Sequence, residues 1–191
     1  VAMRSASPFL VLMTMTSSFL ELPPVAEALP WLAALWSGIW MLRPVAAFIH
    51  ELGHALPALA LTKAEVEVRI GESFAKPLMI MGRLGFACSF RSSFTGFTEY
   101  HRLNLSKAAL AGIILGGPIA SCAACGFGVL GTLSATDPIW MRISAAAFLC
   151  ANGTMFLQSV VPVTLRPTEQ FPDGPPSDGL DLWRTLRGTR N

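Results

Sequence analysis

The chain has 191 residues, of which 52% are hydrophobic and only 14% charged, and its mean hydropathy is +0.52. A soluble domain carries nearer a quarter charged residues, so the composition excludes an ordinary soluble globule and indicates a one-domain membrane protein. The net charge of +2, with its basic residues dispersed, argues against a nucleic-acid partner. Three of the four cysteines (Cys122, Cys125 and Cys150, but not Cys88) lie in apolar runs, which argues against a secreted disulfide framework.

Residues 1–27 form an N-terminal apolar segment. Ser5 to Leu20 is uncharged and follows Arg4. It is short for a span, which needs ~20 apolar residues. With no small-residue cleavage site it reads as a retained candidate first membrane helix. The turn Glu21-Leu22-Pro23-Pro24 ends it. Residues 28–191 form the core. Ala28 to Leu61 is apolar and too long for one straight span, and Arg43-Pro44 interrupts it. Proline starts helices well, so a first piece is expected to end near Leu42 and a second helix to cover 44–61.

Residues 62–107 are a strand-containing loop. Ala64-Glu65-Val66-Glu67-Val68-Arg69-Ile70 alternates apolar and polar, the pattern of a strand with one covered face. A second candidate strand runs from Leu78 to about Phe90, interrupted by Gly82 and Gly85. Residues 108–131 form an uncharged membrane helix. In it Gly112, Gly116, Ala120, Ala124 and Gly128 recur every fourth residue, a spacing that permits close helix contact. Pro118 is expected to bend it. Cys122-Ala-Ala-Cys125 reads as small-residue packing, with a metal or redox role as the lesser alternative. Residues 143–165 form another span. The tail, 166–191, is polar and proline-rich, with a short helix expected after Ser177. The fold class is therefore mainly α: multi-pass transmembrane helices with a small membrane-surface β-sheet.

Loop charges set the expected orientation. Residues 62–107 carry Lys63, Arg69, Lys76, Arg83, Arg91, Arg102 and Lys107, and the tail carries Arg166, Arg184, Arg187 and Arg190. The connection around Asp137 carries only Arg142. The positive-inside rule then makes the 62–107 segment and the tail cytoplasmic.

The chemistry lies in His50-Glu51-Leu52-Gly53-His54. Two histidines four apart project from one helical face, which suits two nitrogen ligands of one zinc ion. Zinc lowers the pKa of a bound water to about 7, and Glu51, one residue after the first ligand, is placed to take its proton. The five-residue pattern occurs by chance in many proteins. Three ionisable side chains clustered in an apolar helix are costly in lipid, however, and mark function by default. His101, in a polar loop, reads as an ordinary surface residue. His54 precedes Thr62 by eight residues, or ~12 Å of helix, so the site would lie within the membrane near its cytoplasmic face.

Three blocks give the chain a resemblance to the site-2 protease family of intramembrane zinc metalloproteases. They are Phe48-Ile49-His50-Glu51-Leu52-Gly53-His54-Ala55; Leu115-Gly116-Gly117-Pro118-Ile119-Ala120-Ser121; and Val160-Val161-Pro162 followed by Ser177-Asp178-Gly179. Together they span residues 48–179. The last is similar to the family's Asn-x-x-Pro…Asp-Gly block. The resemblance implies an aspartate as third zinc ligand. Asp178 matches best, because a Leu-x-x-Trp stretch follows it. Asp173-Gly174 is the competitor, and a solvated turn is the plainer reading of it.

Two departures stand out. Ser159 occupies the family's asparagine position, and the stretch from Pro162 to Asp178 is longer than in many members. Asn152, Gln158 and Ser159 are candidates for oxyanion or substrate support. No segment is long enough for an inserted PDZ domain, which leaves the strand bearing Val66 and Val68 as a candidate for pairing with an extended substrate.

The expected function is a zinc metalloendopeptidase, with one Zn2+ per chain, acting on membrane-embedded or membrane-adjacent proteins. Its partners would be the bilayer and a membrane-protein substrate, with no nucleic acid. The alternative is a non-proteolytic metal-binding membrane scaffold related to such proteases. A transporter with intramembrane histidines would show internal repeats, and the chain has none.

Overall fold

A computed structural model describes residues 25–71, 79–88, 96–134, 138–167 and 171–188. The candidate first membrane helix at 5–20 lies outside them, as do Leu78 and Phe90. The chain divides into two compact units, 1–34 and 35–191, and every residue of the candidate site belongs to the second.

Helix α1 runs unbroken from Val25 to Leu61, which corrects the expected division at Arg43-Pro44. Within a helix, Pro44 removes one backbone hydrogen bond and crowds the preceding turn, at about 3 kcal/mol. Ending the helix there and starting another would expose up to eight backbone groups. In hydrocarbon each unsatisfied group costs several kcal/mol, so continuing through the proline is the cheaper solution. The helix ends at the hand of Arg83. Its guanidinium donates to the carbonyls of Leu59 at 2.9 Å and Thr62 at 2.7 Å. A cation there also suits the negative end of the helix dipole.

Four strands follow: β1 (Val66–Ile70), β2 (Met79–Met81), β3 (Leu84–Cys88) and β4 (Gly96–Tyr100). The sheet order is β2-β3-β1-β4. β1 pairs parallel with β3 and antiparallel with β4. The single strand expected from Leu78 to Phe90 is instead a β2–β3 hairpin. Gly82 turns it with a φ of +62°, a conformation that suits glycine. β4 was not anticipated.

The alternation in β1 does bury one face. Val66, Val68 and Ile70 pack with Ala47, Ala55 and Ala58 of α1, and Ile113 completes the cluster. This arrangement overturns the idea that Val66 and Val68 pair with substrate. β1 has a neighbour on each side, so its backbone is already used. Val66 and Val68 are 1% and 0% exposed, and burying each is worth ~1.5–3 kcal/mol. They are core, not docking surface.

Helix α2 spans Lys107–Leu133 and α3 spans Ile139–Val160. Ser106 caps α2, its hydroxyl accepting from the Ala109 amide at 3.1 Å. Pro118 lies within α2. The second span therefore starts and stops earlier than the expected 143–165. Pro162 cannot donate a hydrogen bond, and the chain beyond it is extended. Leu165 N donates to Pro175 O at 2.8 Å, and Ser177 N to Val163 O at 2.9 Å, so residues 163–165 run beside 175–177.

The small residues of α2 serve two neighbours rather than one. A Cβ at Gly116 would strike the Gly53 carbonyl of α1, whereas one at Gly128 would strike Leu149 of α3. Among the described residues, three helices are long and apolar enough to cross a membrane: Glu27–Leu61, Lys107–Leu133 and Ile139–Val160. A short helix, α4 (Asp178–Arg187), follows the N-cap Ser177 and ends at Gly188.

Candidate metal centre

Gly53 of α1 and Gly116 of α2 face each other so closely that a Cβ on either would collide with the other's carbonyl. That contact brings the histidine face of α1 against α2. Gly117, the next residue, leaves room for the His54 imidazole, which a Cβ there would strike. His50, Glu51 and His54 are all buried, at 4%, 6% and 7% exposure. Three ionisable side chains at that burial need partners, and each has one.

The outer nitrogens of the two rings are held by α2. His54 Nδ1 lies 2.8 Å from the carbonyl oxygen of Ile113. A carbonyl only accepts, so Nδ1 carries the hydrogen. The Gly117 amide lies 3.4 Å from the same nitrogen, but the much shorter contact decides the tautomer. His50 Nδ1 meets the Ser121 hydroxyl at 2.9 Å. Both Nε2 atoms therefore turn inwards, 3.2 Å apart.

Asp178, the first residue of α4, completes the group. Its Oδ2 is 3.0 Å from His50 Nε2 and its Oδ1 is 3.4 Å from His54 Nε2. Burial acts to raise the Asp178 pKa, but the hydrogen bonds to His50 and His54 outweigh it and hold the carboxyl at about 2.

Ser177 sets its position. The buried hydroxyl donates to Val161 O at 2.6 Å and accepts from Val163 N at 3.1 Å and Leu180 N at 3.3 Å. It caps α4 and ties it to the chain leaving α3. Further along, Asp181 pairs with Arg102 at 2.9 Å, and that guanidinium also lies 5.0 Å from the Tyr100 ring centroid. Asp173, the competing candidate, is exposed in a turn that the Gly174 N to Phe171 O bond closes at 2.9 Å. The solvated reading holds for it.

The donor set fits a divalent metal. Tetrahedral zinc with ligand bonds of about 2.0–2.2 Å sets its donors roughly 3.3–3.5 Å apart. The two Nε2 atoms are 3.2 Å apart, near that spacing, and the Asp178 carboxylate approaches them through different oxygens, Oδ2 at 3.0 Å from His50 and Oδ1 at 3.4 Å from His54. The His50–His54–Asp178 group is the one such cluster among the described residues. The outer hydrogen bonds also supply what metal-binding histidines need: a partner on the far nitrogen that fixes tautomer and ring orientation.

The expected support residues do not join this group. Gln158 is exposed and lines an outer groove with Leu157, Val161, Val163 and Leu165. Ser159 is buried, but its hydroxyl donates to Phe156 O at 2.9 Å within its own helix. Asn152 is fully buried, and its Nδ2 donates to Phe148 O at 2.9 Å. The amide end left over is Oδ1, an acceptor without a partner among the described residues, which would repel an oxyanion. His101 is exposed, as expected.

Two polar residues at the site had no role in the sequence reading. Ser121 carried a signal, since it places a hydroxyl four residues after Gly117 in the apolar middle of α2. Thr98 carried none, because β4 itself went unrecognised; its hydroxyl lies 2.7 Å from Glu51 Oε2.

No protein-family model, no curated protein and no solved structure matches the chain.

Proposed function

We propose that the chain is an intramembrane zinc metalloendopeptidase of the site-2 protease type, cleaving membrane-embedded or membrane-adjacent proteins near the cytoplasmic face. The observation that carries this reading is the convergence of Asp178 on His50 and His54, which share with the buried Glu51 a helix apolar enough to span a bilayer. The loop charges support the orientation.

A zinc ion held by the three residues would supply a Lewis acid for the scissile carbonyl and a water acidic near neutral pH. The chain's own residues do the rest. Glu51 takes the proton of the attacking water and returns it to the departing amine. Ser121 and the Ile113 carbonyl keep both imidazoles turned inwards. Burial against β4, where the carboxylate meets Thr98 and the bare Cα of Gly96, keeps bulk water from competing for Glu51.

The test is purified protein in liposomes with a membrane-spanning substrate. Glu51→Gln is expected to keep one zinc per chain and to lose at least about 10³-fold in kcat, as for removal of a group acting only on the reacting atoms. A fully active Glu51→Gln protein sinks the mechanism. A wild-type chain that binds zinc tightly and cleaves nothing favours the scaffold reading instead.

A further inference from the structure

We propose that Thr98, on β4, is a positioning residue that fixes the carboxylate of Glu51, so that the small sheet is a working part of the active site. The inference rests on the protease reading for its catalytic meaning, but the contact itself does not.

The register places Thr98 opposite Val68 and Gly96 opposite Ile70. Directly opposed residues share a face, and here it is the buried one. Thr98 is accordingly 7% exposed, at a position where valine would have the same shape and no hydroxyl to desolvate. The hydroxyl has a specific use. It lies 2.7 Å from Glu51 Oε2 and 3.0 Å from the Glu51 backbone carbonyl. Having one hydrogen, it serves one acceptor at a time, and the shorter contact to the carboxylate is the stronger, charge-assisted kind. It thereby ties a flexible side chain to its own helix.

Two residues earlier on the same face, Gly96 leaves space for the other carboxylate oxygen. A Cβ there would come within 2.6 Å of Oε1 and 2.9 Å of Cδ. One oxygen is held and the other is given room, both by a single strand. A glutamate side chain has three rotatable bonds, the last of them with a broad minimum. A general base must meet its proton within hydrogen-bond reach, so orientation is worth rate.

The experiment compares wild type, Thr98→Val and Thr98→Ser in liposomes for kcat, KM and zinc content. Thr98→Val is expected to lower kcat about tenfold or more, in keeping with the cost of misplacing a catalytic group. Zinc stays at one per chain and KM is essentially unchanged. Thr98→Ser restores most of the rate. Wild-type kcat in Thr98→Val, a serine variant as slow as the valine one, or zinc loss in either overturns the proposal.

A second measurement needs no proteolysis. In thermal unfolding, Thr98→Val should lower Tm by about 3 °C in the wild-type background, the scale for one hydrogen bond in a chain of this length. The drop should be clearly smaller in a Glu51→Leu background, where the hydroxyl keeps only the backbone carbonyl of residue 51 as acceptor. Equal shifts in both backgrounds show that the hydroxyl does not act through Glu51. A wild-type chain that cleaves nothing overturns the protease reading, and with it any catalytic use of Thr98, while unequal Tm shifts would still establish the contact.

Discussion

The two sides of the candidate centre are built by different physics. The histidine side is a helix–helix contact. Gly53 and Gly116 touch through their backbones, Gly117 makes room for His54, and Ile113 and Ser121 hold the rings from one continuous helix. The aspartate side is a short helix reached through an extended segment, and it is held by a cap, a few backbone bonds and the Arg102–Asp181 pair. Close packing leaves no freedom to adjust, whereas a capped helix on an extended lead can shift by small amounts. The histidine side would therefore set where a metal sits, and the aspartate side would adapt to it.

The largest expected effects come from the ligands themselves. His50→Ala, His54→Ala and Asp178→Asn should each remove stoichiometric zinc and all measurable cleavage, because three donors leave none to spare. Asp173→Asn should change neither. Metal analysis after dialysis checks all four variants at once. An Asp178→Asn protein that keeps zinc as tightly as wild type would break the assignment, and zinc loss in Asp173→Asn would transfer it.

The same contrast explains what was legible in the sequence. His50 and His54 are fixed to one helical face by spacing alone, and a charge-poor helix makes them conspicuous. The β1 alternation was legible for the same reason, since a period of two is local. Asp178 was a choice between two aspartates, because which one reaches the histidines depends on how residues 163–165 lie against 175–177, a contact with no local pattern. Pro44 misled because breaking a helix leaves up to eight backbone groups without helical partners, a greater cost in an apolar setting than a proline inside it. Val66 and Val68 misled because the alternation of β1 shows which face is covered but not which strands flank it. β4, Gly-Phe-Thr-Glu-Tyr, is short and itself begins with a glycine, so the residue that holds Glu51 left no trace that spacing could reveal.

Ser177 tests how far the aspartate side can give. Ser177→Ala removes an N-cap worth ~1 kcal/mol and a second bond that ties the cap to Val161. Asp178 itself remains. Partners of this kind outside the ligand set typically change metal affinity by 10–100-fold. If α4 adapts as its construction suggests, the loss of zinc affinity should fall near the low end, about tenfold, with the stoichiometry kept at saturating zinc. Competition with a chelator of known affinity measures it. A loss as complete as that of Asp178→Asn would mean that the aspartate side is as rigid as the histidine side.

The smallest expected effect belongs to Asn152, and its sign carries the information. The end of the amide that faces Phe148 O must be the NH2 group, because a carbonyl only accepts. The oxygen is left buried and unpartnered, which costs roughly 1–3 kcal/mol. A group that stabilised an oxyanion would have to present a donor. Asn152→Leu keeps the branched shape at Cγ, removes the orphan oxygen and should raise Tm by about 2–4 °C, the shift for roughly 1 kcal/mol in a chain of this length. Cleavage should be unchanged, because none of the hydrogen bonds of Asn152 reaches His50, Glu51, His54 or Asp178. A stabilised protein with normal kcat makes Asn152 a packing residue of α3. A stabilised protein with a lowered kcat would show that the amide reverses when substrate binds, and α3 would then contribute to the chemistry as well as to the span.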